Sequence, residues 1–238
     1  MSLGTLRVLA TDYDGTLAAH ATVGPTTIRA LEEFRAAGGV LAMVTGRELP
    51  QLMEIFSHLH LFEVVVAENG GLLYWPQTGK RQPLCEPPDE RFVNVLRARQ
   101  VTPLSVGEVI VATVEPHHLT VLEAIRDLGL ELQIIFNKGW VMILPSGVTK
   151  ASGLHRALTE LAIDPMSVAG VGDAENDHAM LQFCGLGAAV ANALPSLKDH
   201  ADLVLERTHG EGVEDLLRGM RAGTLDATPR RPRMHSAI

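Results

Sequence analysis

The segment LRVLATDYDGT (residues 6–16) joins an apolar run to two aspartates that one tyrosine separates. The apolar run is typical of a buried strand in a parallel sheet. Asp12 and Asp14 follow at the carboxyl end of that strand, where open α/β sheets bind their ligands. A solvated Asp-Gly turn would have the same composition, because Asp and Gly both favour turns. The choice between a turn and a site therefore depends on what the other strand ends carry.

The composition is that of an ordinary globular chain, and it limits the classes of partner. The 238 residues are 46% hydrophobic, enough to bury one large core or two modest ones. The 20 basic and 28 acidic residues give a formal charge of −8, which argues against a nucleic-acid or anionic-membrane surface. Cys85 and Cys184 lack metal-ligand or redox spacing, and neither a signal peptide nor an apolar run of transmembrane length is present. We predict a cytoplasmic protein, a monomer or homodimer, that acts on a small molecule.

Strand and helix patterns alternate in the first and last parts of the chain. The apolar strand patterns lie at residues 6–11, 40–47, 62–71, 167–173, 186–192 and 201–206. The helical patterns between and after them lie at residues 25–38, 48–59, 149–163, 176–184 and 212–221. Alternation of this kind indicates a parallel sheet with helices on both faces. The predicted fold class is α/β, with a Rossmann-like doubly wound parallel sheet as its core.

Residues 76–90 (PQTGKRQPLCEPPDE) interrupt the alternation with the proline and polar residues of a linker. The helix and strand patterns that follow, including the hairpin signal NKG at 137–139, are those of a small α+β unit. We predict a core over residues 1–82 and 147–222, into which a cap domain over residues 83–146 is inserted. Residues 223–238 end in arginines and prolines without apolar periodicity, and we predict a disordered tail there.

Four polar clusters stand at strand ends or helix starts, and the sheet edge rule predicts that they share one crevice. They are Asp12 with Asp14, Thr45 with Gly46, Lys150, and the run GDAEND, which contains Asp173, Asn176 and Asp177. Clustered carboxylates raise one another's pKa values, and a cation relieves this; oxygen ligands suit Mg²⁺. The hydroxyl, N–H and ammonium donors beside such a cation suit a phosphate group. A carboxylate can then attack phosphorus and form an aspartyl phosphate.

In this order, DYDGT, VTGR, Lys150 and GDAEND resemble the four motifs of the haloacid dehalogenase-like superfamily of phosphatases, across residues 6–216. AENGG, PSGVTK and AAVANA are similar to the Cof-type branch (subfamily IIB), whose C2 cap is inserted where residues 83–146 lie. The short cap resembles that of archaeal-type phosphoglycolate phosphatases and sucrose-phosphatase relatives. Tyr13 stands where the family often has leucine, and Ala151 where it commonly has glycine after the lysine.

The resemblance implies covalent catalysis assisted by a metal. Asp12 would attack phosphorus, and Asp14 would protonate the leaving alcohol and then activate the hydrolytic water. Mg²⁺ would be held by Asp12, the main-chain carbonyl of Asp14, and Asp173, with Asp177 as a further ligand or as support for the others. The implied activity is Mg²⁺-dependent hydrolysis of a small metabolite's phosphate monoester, either a sugar phosphate or a phosphoglycolate-like compound.

The same resemblance assigns the binding of the phosphoryl group. Thr45 and Gly46 would hold its oxygens, Lys150 would neutralise charge between it and the nucleophile, and Asn176 would orient the site. Arg47 is a candidate substrate-binding cation, and a structural salt bridge to a neighbour such as Glu68 is an equal alternative.

Three other classes of protein use some of these site residues in the same way. A sugar phosphomutase forms the same aspartyl phosphate but returns the phosphoryl group to the sugar, and it is the main alternative. A dehalogenase would leave Asp14 without a role, because halide needs no proton on leaving. A receiver domain also phosphorylates an aspartate, but it is about one small domain in size and has no place for an inserted cap.

The insertion is also predicted to be a mobile lid that selects the substrate, because residues 76–83 and 145–147 bound it with proline and glycine. Its helices should cover one face of its sheet. Alternation puts Gln133 and Ile135 on one face and Ile134 and Phe136 on the other. Because Gln133 is polar, we predict that the face carrying Gln133 and Ile135 covers the crevice as a polar roof of mostly small residues.

Overall fold

The computed structural model describes residues 4–231, which form two β-sheets with helices packed on them. The strands are β1 (Val8–Thr11), β2 (Val40–Val44), β3 (Val64–Ala67), β4 (Leu72–Trp75), β5 (Lys80–Pro83), β6 (Ser105–Val106), β7 (Val111–Val114), β8 (Leu132–Asn137), β9 (Trp140–Pro145), β10 (Val168–Gly172), β11 (Leu186–Ala189) and β12 (Leu203–Val204). The α-helices are α1 (Pro25–Ala36), α2 (Leu49–Ile55), α3 (Glu90–Ala98), α4 (His118–Leu128), α5 (Lys150–Glu160), α6 (His178–Phe183), α7 (Pro195–Lys198) and α8 (His209–Ala222).

The larger sheet has the strand order β12-β11-β10-β1-β2-β3-β4-β5. Its strands from β12 to β3 pair in parallel, and β4 and β5 extend it in antiparallel fashion. β1, β3 and β10 are buried at every residue, as parallel strands are when both faces of a sheet are covered. The predicted α/β fold with a parallel core sheet is confirmed.

The centre of this sheet explains why distant parts of the sequence meet. β1 lies between β10 and β2 and runs parallel to both. The carboxyl ends of the three strands, and the residues Asp12, Thr45 and Asp173 that follow them, therefore reach the same edge. This is the edge at which open parallel sheets bind ligands.

The smaller sheet is antiparallel, has the order β6-β7-β9-β8, and lies within the predicted insertion. α3 and α4 cover one of its faces through an apolar cluster that includes Phe92, Leu96 and Val121 of the helices and Val111 and Ile143 of the sheet. The sheet therefore has one helix-covered face and one face without helices.

The face without helices carries Ile135, Met142 and Leu144, which form a separate apolar cluster with Val148 beside it. The prediction that Gln133 and Ile135 lie away from the helices is therefore confirmed. The prediction of a polar roof is wrong, because this face is apolar. Gln133 does not supply polarity to the crevice, since its side-chain amide donates to the carbonyl of Val148 at 2.6 Å.

The hairpin between β8 and β9 brings the tip of the smaller sheet to the larger one. Lys138 and Gly139 have φ values of 47° and 85°, as a two-residue type I′ turn requires. The Lys138 N–H donates to the Glu175 carboxylate at 3.2 Å. The hairpin that NKG predicts is confirmed, and its tip touches the loop after β10.

The segment predicted to be a linker contains β5, which differs from the prediction. β5 pairs with β4 at the edge of the larger sheet, after a turn in which Gly79 has a φ of 71°. Its residues are polar or proline and mostly exposed, as suits an edge strand. The polar composition of these residues therefore led to the wrong prediction of a linker where a strand lies.

Part of the predicted tail also differs from the prediction of disorder. Leu225 packs against the core, Thr5 donates its hydroxyl to Asp226 at 2.7 Å, and the Arg231 N–H donates to Asp202 at 2.7 Å. These contacts hold residues 223–231 against the core, whereas residues 232–238 lie outside the described residues. Among residues 4–231, no helix has both the length and the apolarity needed to cross a membrane.

Candidate active site

A buried lysine stands between two aspartates at the centre of the site. Lys150 Nζ lies 2.6 Å from Asp12 Oδ1 and 2.7 Å from Asp177 Oδ1, and its side chain is 1% exposed. Burial opposes its charge, but attraction by the two carboxylates raises the pKa of Lys150 above its usual value. Thr149 caps α5 through a capping box with Ser152, which fixes the helix start from which Lys150 projects.

The loop after β10 places two more carboxylates beside Asp12. Asp177 Oδ2 accepts hydrogen bonds from the N–H groups of Asp173 and Ala174, at 2.9 and 3.1 Å. Asp173 is fully buried and accepts a hydrogen bond from the Thr16 hydroxyl at 3.0 Å. Gly15, with a φ of 81°, lies so close that a Cβ there would collide with the Asp173 carboxylate. The Gly-Thr pair after Asp14 thus lets the two loops touch.

The donor set at this point suits a hard divalent cation. Asp12, Asp173 and Asp177 each offer one carboxylate oxygen, and these oxygens all lie within 4.8 Å of one another. Burial raises the pKa of Asp12 well above its usual value; Lys150 lowers it, and the charges of Asp177 and Asp173 raise it. A bound cation would offset this excess of buried negative charge. Three carboxylates without nitrogen or sulfur donors fit Mg²⁺.

The residues after β2 lie on the other side of Asp12 and Asp14. Thr45 is fully buried, and its hydroxyl accepts a hydrogen bond from the Arg47 N–H at 3.1 Å. Arg47 forms a bidentate salt bridge with Asp14: its Nε donates to Oδ2 at 2.6 Å, and one Nη donates to Oδ1 at 2.7 Å. The salt bridge of the Arg47 side chain is therefore with Asp14 and not with Glu68.

Asn176 pairs with a residue that the sequence did not single out. Its side-chain nitrogen donates to Asn69 Oδ1 at 2.9 Å, and Asn69 follows β3 with a φ of 55°. Among the described residues, the remaining buried amide atoms, Asn69 Nδ2 and Asn176 Oδ1, have no hydrogen-bond partner. Buried amide atoms in native proteins are nearly always hydrogen-bonded, so these two are available to a water molecule or a polar ligand. The signal for Asn69 was AENGG, which directly follows an apolar strand.

A cavity of about 640 Å³ opens above these groups, between the two sheets. Its floor includes Asp12, Asp14, Gly46 and Arg47. The facing wall comes from the smaller sheet and its connections, with Pro103, Leu104, Ile110, Ala112, Asn137, Lys138, Trp140 and Met142. Volumes of this size accommodate small-molecule ligands. The predicted site residues therefore lie together: Asp12, Asp14, Gly46 and Arg47 line the cavity, while Thr45, Lys150, Asp173, Asn176 and Asp177 are packed around them.

Glu68 connects the two sheets through hydrogen bonds to its side chain. Its buried carboxylate accepts hydrogen bonds from the N–H groups of Glu108, Val109 and Ile110, at 3.0, 2.7 and 3.0 Å. Burial raises the pKa of Glu68 above its usual value, and the three hydrogen bonds offset only part of this rise. The side chain thus attaches the residues just before β7 to the residue just after β3, a contact that the lid prediction did not include.

Glu68→Gln is expected to loosen this attachment, because the new amide group points a donor at backbone donors. Each unsatisfied buried group costs about 1–3 kcal/mol. Amide hydrogen exchange should accelerate at residues 108–110. Glu108→Gln is the matched control, since it breaks an exposed salt bridge to Arg81 between the same two parts, and such pairs contribute little. Unchanged exchange at 108–110 in Glu68→Gln would contradict an anchoring role.

Comparison with known proteins gives the class of this site. The model of the haloacid dehalogenase-like hydrolase family matches residues 9–96 and 105–217. The phosphoglycolate phosphatase of Methanothermobacter thermautotrophicus is 31% identical over 220 residues, which are 90% of this chain and 98% of that protein. The chain therefore belongs to the haloacid dehalogenase-like hydrolase family, and the resemblance seen in its motifs is confirmed.

Solved structures share the fold. A haloacid dehalogenase-like hydrolase from Bacteroides thetaiotaomicron superposes with a TM-score of 0.77 at 18% identity, covering 89% of this chain and 98% of that one. The subclass IIB sugar phosphatase BT4131 superposes with a TM-score of 0.73 at 19% identity, covering 89% and 98%. At these identities the likeness is one of architecture.

Proposed function

We propose that this hydrolase is a Mg²⁺-dependent phosphatase of small phosphorylated metabolites and that it works through an aspartyl phosphate on Asp12. The observation that carries the proposal is the buried ammonium of Lys150 held between Asp12 and Asp177, directly beneath the cavity. A carboxylate paired with a fixed cation and placed at the wall of a cavity is positioned to attack phosphorus. The phosphoglycolate phosphatase and sugar phosphatase among the similar proteins support a small substrate.

The reaction divides between the two aspartates after β1. Asp12 attacks phosphorus as Asp14 gives a proton to the departing oxygen, which releases the alcohol and leaves a phosphoryl group on Asp12. Asp14 then takes a proton from water, whose oxygen attacks phosphorus and returns Asp12 to its free form. The sum is ester plus water to alcohol plus phosphate. In the structure Arg47 occupies both carboxylate oxygens of Asp14, so Arg47 must release one of them before Asp14 can carry and transfer a proton.

The donors around Asp12 position the phosphoryl group. Thr45, the N–H of Gly46 and Lys150 approach from the floor, and Asn176 and Asn69 hold each other beside them. Asp12, Asp173, the main-chain carbonyl of Asp14 and Asp177 would hold Mg²⁺, which when bound supplies positive charge to the phosphoryl oxygens. Phosphoryl transfer depends mainly on such positioning and charge neutralisation.

A phosphate-release screen tests the proposal. The purified protein would be given 2-phosphoglycolate, sugar phosphates and an aryl phosphate, each with Mg²⁺. Release of free phosphate from at least one metabolite is expected. Isomerisation of a sugar phosphate without release of phosphate would instead identify a phosphomutase. Failure to act on any monoester would contradict the proposal.

The metal gives a separate prediction. Excess EDTA should abolish phosphate release, and Mg²⁺ or Mn²⁺ should restore it. Ca²⁺ should bind but support little turnover, because it accepts more ligands at longer distances and would displace the nucleophile from its line of attack. Calorimetric titration of the EDTA-treated protein with each ion reports binding apart from activity. Full activity in EDTA would rule out the metal.

A further inference from the structure

The tip of the smaller sheet puts a cation into the cavity that no motif predicted. Lys138 lies on the β8–β9 turn, and its ammonium pairs with the carboxylate of Asp173. The Asp173 side chain is completely buried, whereas the Lys138 side chain remains 42% exposed. Lys138 therefore reaches from the surface of one sheet to the buried acid of the other. The hydrogen bond from its N–H to Glu175 fixes the turn in this place.

The charges along the cavity wall make Lys138 unusual. Among the described lining residues, Asp12, Asp14 and Glu48 are acidic, and Arg47 and Lys138 are the lysine or arginine side chains. The guanidinium of Arg47 is engaged in the bidentate salt bridge with Asp14. Lys138 is thus the lining cation whose side-chain partner, Asp173, is one of the three clustered carboxylates.

Binding of a metal to Asp173 would free Lys138 from its ion pair. Asp173 is one of the three carboxylates that suit Mg²⁺. Once a divalent cation takes the Asp173 carboxylate, the ammonium faces positive charge where it faced negative charge, and the pair is no longer favourable. Lys138 then has an exposed stem, a cationic end and a cavity in front of it.

The position of Lys138 in the cavity wall determines which part of a substrate it can contact. The phosphoryl group already has donors at the floor, Lys150 and Thr45 among them. Lys138 belongs to the opposite wall, with Asn137 and Trp140 of the same hairpin. If the phosphoryl group binds at the floor, as proposed above, the leaving group would extend toward this wall. A second anionic group there would enter a cavity lined by Asp12, Asp14 and Glu48 and would need a cation to offset their repulsion.

We propose that Lys138 is a specificity-determining residue that binds a carboxylate on the leaving group, so that the substrate class is phosphorylated hydroxy acids such as 2-phosphoglycolate. This inference rests on the proposed phosphatase function. A charge-assisted hydrogen bond from an ammonium to a carboxylate is among the stronger polar contacts in proteins. It would distinguish a phosphorylated hydroxy acid from a neutral phosphorylated alcohol of the same size.

Binding of two matched phosphonates tests the assignment without turnover. 3-Phosphonopropionate has the shape of 2-phosphoglycolate with carbon in place of the ester oxygen, and propylphosphonate lacks its carboxylate. Neither can be hydrolysed at that position. In calorimetry with Mg²⁺, the wild type should bind the carboxylate-bearing compound roughly tenfold or more tightly, in line with a charged hydrogen bond.

Lys138→Met keeps a side chain of nearly the same length and removes the ammonium group, so it should erase that preference while leaving propylphosphonate binding unchanged. Lys138→Arg should retain much of the preference, because it keeps the charge. In steady-state assays, Lys138→Met should raise KM for 2-phosphoglycolate but leave that for glycerol phosphate within about twofold. Such a split between substrates would not arise from a merely structural role.

The outcomes separate this inference from the function on which it rests. A wild-type protein without a carboxylate preference, or a Lys138→Met variant that keeps it, would overturn the role of Lys138 even if phosphate release is vigorous. Preference lost in Lys138→Met, with no monoester hydrolysed by the wild type, would support the binding role and overturn the phosphatase proposal.

Discussion

Asp12→Asn is expected to lower phosphatase turnover by a factor of roughly 10⁴ or more, since an amide is a very poor nucleophile and nucleophile removal is costly in enzymes generally. The protein should still fold, because the amide is nearly isosteric with the carboxylate and Lys150 keeps its second partner, Asp177. The measurement is steady-state phosphate release together with the unfolding midpoint.

Asp14→Asn is the matched control for this prediction. It removes the proposed acid and base but leaves the nucleophile, so its effect should depend on the leaving group. Esters of poor leaving groups should lose about 10²–10⁴-fold, the usual contribution of general acid catalysis, while aryl phosphates should lose much less in the first step. Substantial steady-state turnover in Asp12→Asn would remove Asp12 from the role of nucleophile.

Lys150→Met is expected to have the largest effect on stability. The substitution leaves Asp12 and Asp177 buried without their cation, and breaking a buried ion pair from one side costs about 3–5 kcal/mol. Urea unfolding in EDTA should show this loss in the free energy of unfolding. Added Mg²⁺ should recover part of it, because the carboxylate cluster would then regain positive charge.

Lys80→Met supplies the comparison for this variant. Lys80 is exposed on the edge strand β5, and surface substitutions usually change stability by less than about 0.5 kcal/mol. If Lys150→Met were as stable as Lys80→Met in EDTA, Lys150 would not be what compensates the buried carboxylates. If Mg²⁺ stabilised the two variants equally, the metal would not bind at this cluster.

The arrangement of the predicted site residues followed from the sequence because it depends on local patterns. Apolar runs identified β1, β2 and β10, and parallel strands place their carboxyl ends along one edge. Asp12, Thr45 and Asp173 each stand directly after such a run, so their meeting required no knowledge of packing. Lys150 follows a threonine that can cap a helix, which fixed its position at a helix start.

The contacts across the two sheets could not be predicted in this way. Lys138 reaches Asp173, and Glu68 accepts N–H bonds from residues 108–110, through the docking of one sheet on the other. No periodicity records how two sheets dock. The apolar roof was missed for a related reason: Gln133 suggested a polar face, but its amide is used on the Val148 carbonyl.

β5 and residues 223–231 were missed because their stabilising contacts are not apolar runs. β5 pairs with β4 through its main chain, and this pairing does not require apolar side chains. Residues 223–231 are held by hydrogen bonds such as those of Thr5 with Asp226, in addition to Leu225. Composition alone predicted a linker for the first segment and a disordered tail for the second.

The central claim, a phosphoryl group carried by Asp12, can be tested by trapping it in the Asp14→Asn variant. Without its base this variant should accumulate the intermediate from an aryl phosphate that carries a radiolabelled phosphoryl group. After an acid quench, the label should approach one phosphoryl group per protein molecule. Borohydride reduction of a second portion releases the labelled phosphate and converts the modified aspartate to homoserine, which peptide mapping should place at position 12. Release of the aryl alcohol without covalent label, or label at another residue, would contradict the account.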